Sequence, residues 1–514
     1  MVREYPSVSW PCCLFEDRCV STLIRLKKDK ESASKNVHIL KIRIKYKTKG
    51  VKPYGKNFGT DGARGVANTE ISCTLAMDIG RAAAMVVARD HKKKRPLFLV
   101  GHDTRISHDM LESAISAGLC SVGADVVTLG TVPTPAVAYL VKNSDADAAI
   151  MLSASHNPYE FNGIKIFGSE GFKLTDDEEY EIEGIVLDHV LPYDLKWNDE
   201  LGTIRSGENM VEDYIDHIVS TVSCDLSGLR VAADCANGSA SATAAKIFQK
   251  LGADVTILND KPNGININDN CGSTHIEALG KYVKENGYDL GVAFDGDADR
   301  CLAVDENGEL VDGDRLIAIF ASQMKQEGHL ANNTAVVTIM SNMGFFKFAE
   351  EAGIHVEKTT VGDRYVLQNM LEHGHCIGGE QSGHIIFREY MTTGDGQLTA
   401  VQLLSALKKS GKKLSELASL MKVYPQVMRN LRADKEMKKM VKIDAGVLRR
   451  QEELEKQMNG NGRILVRPSG TEPVIRVMVE GPEIELIERI AEDMEQTIVE
   501  RLGYNEDCKG LETI

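Results

Sequence analysis

The sequence predicts an α/β protein: three related mixed α/β domains in series, then a smaller α+β domain at the C-terminal end. Three observations predict it. The chain of 514 residues is longer than a single core usually organises. A phrase of strand, helix, glycine and strand returns three times, at intervals of roughly a hundred residues, as in a repeated unit. The last stretch abandons that phrase for charged helices around a Gly-rich turn.

The elements follow in order. Residues 1–52 are basic, with Lys27-Lys28-Asp29-Lys30 and an alternating lysine, arginine and apolar run at 41–47. They read as a poorly ordered extension without a catalytic role; a basic targeting arm and an extra edge strand are the other readings. Residues 53–208 form the first domain, with an apolar strand at 97–101, a helix at 107–121 and a strand at 123–129. Residues 209–308 repeat the phrase with a strand at 229–234, a helix at 239–251 and a strand at 252–258. Residues 309–422 carry a looser copy at 335–340, 345–352 and 353–356. Residues 423–514 hold the turn Asn459-Gly460-Asn461-Gly462, a strand bearing Arg467, and a long final helix.

Composition narrows the function. Hydrophobic residues make up 43% and charged residues 26%, as in ordinary globular proteins. A net charge of −15 argues against nucleic acid as the main partner, because phosphate backbones recruit basic surfaces. No apolar run reaches the roughly 20 residues that span a bilayer, and no secretory leader is expected. Eleven scattered cysteines without a CxxC pair fit reduced thiols and a cytoplasmic setting.

Two loops carry the strongest chemistry. Ser153-Ala154-Ser155-His156-Asn157-Pro158 follows an apolar strand, so Ser155 stands exposed at a strand end, and Asn-Pro opposes immediate helix. A serine needs a base or a cation to become a nucleophile. His156 can exchange protons, and Lys165 can neutralise phosphoryl charge. A polar turn with a capping serine is the plainer reading. Asp295-Gly296-Asp297-Ala298-Asp299-Arg300 spaces three carboxylates at alternate positions across small residues, so that all three can meet one hard cation. Without a cation they repel one another. The Gly that an EF-hand requires at its sixth position is replaced by Arg300. A solvated acidic turn is the alternative.

Three further loops are weaker alone. Gly378-Gly379-Glu380-Gln381-Ser382-Gly383-His384 offers Glu380, Ser382 and His384 to sugar hydroxyls, or is merely a Gly-rich turn. Arg467-Pro468-Ser469-Gly470-Thr471, with Arg476 beyond, reads as a phosphate cradle or a surface turn. Phe58-Gly59-Thr60-Asp61-Gly62-Ala63-Arg64-Gly65 could present Arg64 to a charged centre or form a hairpin turn.

Taken in chain order, the five segments resemble the α-D-phosphohexomutase superfamily from about residue 54 to 502. Within it, the opening at 58–65 and the serine and sugar loops look like the bacterial phosphoglucosamine mutase branch, Gln381 above all; the phosphomannomutase/phosphoglucomutase branch usually carries Met at that position. The resemblance implies an isomerase that interconverts glucosamine 6-phosphate and glucosamine 1-phosphate, feeding UDP-N-acetylglucosamine synthesis. It implies phosphoserine at Ser155 and one Mg²⁺ per subunit on Ser155, Asp295, Asp297 and Asp299, with Arg300 supporting the metal loop. Arg64, His156 and Lys165 would surround the moving phosphoryl group, and Glu380, Ser382 and His384 the sugar. Arg467, Ser469, Gly470, Thr471 and Arg476 would hold the idle phosphate. A sugar 1,6-bisphosphate or a kinase would prime Ser155. The expected partner is a small sugar phosphate, with no nucleic acid or membrane and room for a homodimer. A phosphomannomutase/phosphoglucomutase is the alternative within the chemistry, and a metal-dependent phosphatase the alternative outside it.

Overall fold

The computed structural model describes residues 58–59, 62–188, 192–469 and 473–503. The basic extension expected at 1–52 lies outside them. Four sheets follow one another along the chain.

The first has seven strands. In spatial order they are Phe58–Gly59, Gly62–Val66, Phe161–Gly168, Ala148–Leu152, Leu97–His102, Asp125–Thr131 and Ile204–Ser206. The second has five, with Leu290–Phe294 between Cys301–Asp305 and Arg230–Asp234. Its short strand Leu310–Val311 pairs with Cys301–Asp305 just past residue 308. The third has four, and the fourth is a three-stranded antiparallel sheet of Gln426–Arg432, Val474–Glu480 and Arg463–Pro468.

The repeated phrase is real in three dimensions. Leu97–His102 runs parallel to Asp125–Thr131, Arg230–Asp234 to Asp254–Leu258, and Thr334–Thr338 to His355–Thr359. Each pair is joined by a crossover containing a helix, as parallel strands require. The helix expected at 239–251 is broken. A 3₁₀ turn, Ser239–Ala242, precedes the α-helix Ala244–Lys250. The Ser239 N–H donates to the Gly296 carbonyl, 2.8 Å, and so is committed to the metal loop.

Alternation along the central strands decides the packing, because successive side chains point to opposite faces. Leu99, Val231, Ala233, Ala335 and Val337 enter one continuous core shared by the first three sheets. Their neighbours Phe98 and Val100, Ala232, and Val336 enter separate cores on the opposite faces. The fourth sheet packs with its own helices around Val447, Ile475, Val477, Ile487 and Met494, apart from the shared core. No described helix is long and apolar enough to cross a membrane.

Candidate active site

The serine and metal loops both leave the carboxyl ends of fully buried strands, Ala148–Leu152 and Leu290–Phe294. Open α/β sheets bind ligands at such ends. The two loops meet. Ser155 Oγ donates to Asp295 Oδ2 at 2.5 Å, and His156 Nδ1 stands 3.4 Å from the same hydroxyl.

Ser155 is buried and holds a left-handed backbone, φ 54°. For a residue with a side chain this costs on the order of 1–3 kcal/mol and persists only where the surroundings enforce it. Here they do. The Ser155 N–H donates to Ser153 Oγ at 2.9 Å, and Ser153 donates in turn to Asp103 at 2.6 Å. Arg105, fully buried, pairs with Asp103 at 2.8 Å. It also donates to the carbonyls of Ser155, Asn157, Pro158 and Phe161. One guanidinium therefore ties the whole serine loop. Asn268, from the second sheet's loops, donates to the same Ser155 and Asn157 carbonyls at 2.9 and 3.1 Å.

Asp295, Asp297 and Asp299 are buried, with one carboxylate oxygen from each inside a 4.8 Å sphere of mutual distance. Burial, then the charges of Asp299 and Asp297, push Asp295 up to about 8. Asp297 Oδ1 and Asp299 Oδ1 are buried with no hydrogen-bond partner. Two orphaned carboxylate oxygens converging beside a third buried carboxylate fit a hard divalent cation. Lys165, from Phe161–Gly168, supplies only part of the compensation: Nζ lies 2.8 Å from Asp297 Oδ2 and 3.5 Å from Asp299 Oδ2. Thr134 donates to Asp297 through both its hydroxyl and its N–H. Arg300 Nε stands 4.0 Å from Asp295 and 3.8 Å from Asp299. Glu306, twelfth from Asp295, accepts from the Ser415 hydroxyl and N–H instead of turning back to the loop. No EF-hand cage forms.

Burial, then the Arg300 and Arg64 charges, pull His156 down to about 4. A neutral imidazole therefore faces Ser155 near neutral pH. Arg64 reaches this centre from Gly62–Val66, paired opposite Gly163.

The sugar loop begins at the end of Ile377–Gly379 and packs on the metal hairpin, with the Cys301 N–H donating to the Gly383 carbonyl, 3.0 Å. Any Cβ at Gly383 would lie 2.4 Å from the Cys301 carbonyl oxygen. His384 Nε2 accepts from the Gly394 N–H, 3.0 Å, so the ring proton sits on Nδ1, 3.6 Å from Asp299 Oδ1. Glu380 accepts from the Gly362 N–H, and Ser382 lies partly exposed on the same turn. Gln381 donates to Asp312 at 3.1 Å, at the start of the helix Gly313–Gln326.

Arg467 and Arg476 stand directly opposite each other across the fourth sheet. Burial, then the Arg476 charge, lowers Arg467. Facing guanidinium groups call for an anion between them. Ser469 is buried beside them. Gly470 and Thr471 lie outside the described residues.

The structure thus brings together Ser155, His156, Lys165, the three aspartates, Arg300, Arg64 and His384. Glu380 and Ser382 join through the loop they share with His384, while the arginine pair stands on a separate sheet. Sequence reasoning missed Asp103, Arg105, Thr134 and Asn268. The only available signal was a polar cluster, Asp103-Thr104-Arg105, after a buried strand, which looks like any loop.

Sequence profiles described as phosphoglucomutase/phosphomannomutase domains match in full series. Domain I matches residues 55–190, domain II 212–308, domain III 312–424 and the C-terminal domain 411–497. The chain belongs to the phosphoglucomutase/phosphomannomutase family. Among its relatives is the phosphoglucosamine mutase of Acetivibrio thermocellus, 54% identical over 449 residues, which are 87% of this chain and 100% of that one. The phosphoglucosamine mutase of Caldicellulosiruptor saccharolyticus is 52% identical over 457 residues, with the same coverage. The expected likeness to the bacterial phosphoglucosamine mutases therefore holds. The fold is that of a phosphoglucomutase/phosphomannomutase family protein from Burkholderia thailandensis, with a TM-score of 0.73 at 23% identity over 86% of this chain and 97% of that one. It is also that of an Aspergillus fumigatus N-acetylphosphoglucosamine mutase in complex with GlcNAc-6P and magnesium, with a TM-score of 0.61 at 16% identity over 86% and 95%.

Proposed function

We propose that this phosphohexomutase interconverts glucosamine 6-phosphate and glucosamine 1-phosphate through phosphoserine at Ser155 and a 1,6-bisphosphate. One observation carries the reading: the Ser155 hydroxyl lies 2.5 Å from Asp295, inside a buried group of three carboxylates.

Phosphoryl transfer depends on alignment and charge neutralisation. In the first half-reaction the phosphorus–Ser155 Oγ bond breaks as a bond forms to the sugar's free C1 hydroxyl oxygen. The hydroxyl proton passes to a neighbouring base, for which the neutral His156 is suited. The bisphosphate then turns over, its 6-phosphate is returned to Ser155 Oγ, and the O6 oxygen takes up a proton. Asp295, Asp297 and Asp299 would hold Mg²⁺, which when bound supplies positive charge to the phosphoryl oxygens. Lys165 and Arg64 neutralise the remainder, and Arg300 steadies the carboxylates. Glu380 and Ser382 hold sugar hydroxyls in either orientation; His384, expected beside them, is buried with its ring nitrogens turned to the Gly394 N–H and to Asp299, and so steadies the loop instead. Arg467, Ser469, Gly470, Thr471 and Arg476 grip the idle phosphate. A sugar 1,6-bisphosphate or a kinase primes the serine, and the reaction takes place in the cytoplasm. The domains divide at 53–208, 209–308, 309–422 and 423–514, except that the strand Leu310–Val311 completes the second domain's sheet.

Peptide mapping of purified protein should find phosphate on Ser155. Ser155→Ala should lose roughly four or more orders of magnitude in turnover, because it removes the oxygen that carries the phosphoryl group. Phosphate on a different residue, or an active alanine variant, overturns the reading. Release of inorganic phosphate without isomer would instead mark a phosphatase.

A further inference from the structure

The Ser155 carbonyl oxygen is enclosed on three sides. Arg105 donates to it at 2.9 Å from its own domain, and Asn268 Nδ2 donates at 2.9 Å from the second. Gly296, inside the metal loop, closes the third side, since any Cβ there would lie 2.5 Å from this oxygen. The hydroxyl that reacts and the carbonyl so enclosed belong to one residue, so fixing one fixes the other.

Asn268 is built for this contact. Its backbone is left-handed, φ 60°, and its N–H donates to the Ala236 carbonyl at 2.9 Å. Ala236 is left-handed too, φ 53°, and its N–H donates to Asp234 at 2.9 Å. Only the amide's donor side is used: Oδ1 is buried with no hydrogen-bond partner. A buried acceptor left unsatisfied is costly, so the residue is held for its N–H₂. Two further bonds join the loop after Leu97–His102, which carries Arg105, to the second sheet's loops: Thr104 Oγ1 to the Asn237 carbonyl at 2.6 Å and the Ile106 N–H to the Gly264 carbonyl at 2.8 Å.

We infer that Asn268 is a positioning residue for phosphoryl transfer, its amide setting the Ser155 hydroxyl against the three carboxylates of the metal loop. The inference rests on the mutase reading above. It does not touch substrate; it acts through the serine backbone.

The test uses full-length enzyme assayed with glucosamine 6-phosphate. Asn268→Gly removes the amide while leaving the left-handed backbone unstrained, and Asn268→Asp keeps the shape but presents oxygens to two carbonyls. Misplacement by about 1 Å costs on the order of 100-fold. Both variants should therefore lose roughly 30- to 100-fold in kcat with KM within about threefold, and the ³¹P resonance of phosphoserine should shift. A purely structural role would let the isosteric aspartate retain kcat, or would make kcat fall only in step with thermal stability; either result overturns the inference. If the wild-type protein itself carries no phosphoserine, the mutase reading fails instead.

Discussion

Lys165 Nζ lies 2.8 Å from Asp297 Oδ2 with both side chains sealed from solvent. Removing one partner of such a pair leaves a buried charge uncompensated. Lys165→Met should cost about 3–5 kcal/mol in urea unfolding and reduce turnover by about 10²–10³. A variant with wild-type stability would mean that the carboxylates do not depend on this cation.

The orphaned oxygens of Asp297 and Asp299 predict that metal binding stabilises the native state. Mg²⁺ at a hundredfold excess over its Kd should add about 2.7 kcal/mol, read as a rise in thermal midpoint. Chelation should abolish turnover. An equal rise in Asp297→Asn would place the binding elsewhere.

Glu112 gives a pH signature of stability. Burial, then the Asp109 and Glu208 charges, raise it from 4.5 to about 7. Between those values the native state keeps a proton that the unfolded chain has lost, so stability falls as pH rises through the window. Glu112→Gln removes the penalty. It should raise the midpoint by on the order of 2 °C at pH 8 and leave it unchanged at pH 4; a gain equal at both would reject the assignment.

Arg463 fastens the small domain. It pairs with the fully buried Glu480 and donates to the carbonyls of Ile339 and Ser341 at the end of the third sheet's central strand. Arg463→Ala should destabilise the protein by about 3 kcal/mol or more. It should also raise KM for the sugar phosphate, because the arginine pair of this domain loses its seat. Unchanged KM would separate the seat from substrate binding.

Gln381 is bonded to Asp312, and Asp312 caps its helix through Arg315 independently of that bond. Gln381→Met should then alter the ratio of turnover on glucosamine and glucose 6-phosphates by no more than about threefold, the scale of one modest hydrogen bond. A reversal of preference would show that the side chain reads the sugar.

The fold was legible because its signals are local. Buried strands such as 97–101 and 290–293 stand out as apolar runs, and Gly353, φ 63°, marks the helix end that the phrase requires. The metal loop was legible because three acids in five residues have few other uses. The serine clamp was not. Arg105 lies fifty positions from Ser155 and Asn268 more than a hundred, and neither residue type in a loop announces a partner. The 3₁₀ start at Ser239 escaped for a similar reason: its N–H answers to Gly296, which only folding brings near.

Because one face of each of the first three sheets shares a continuous apolar core, those sheets form a stiff floor to the crevice, whereas the fourth keeps its own. Amide exchange should therefore reveal two melting units, a large slow one and a small fast one. A bisphosphate turning over as proposed would gain its headroom from the second, while the clamp on Ser155 stays anchored in the first.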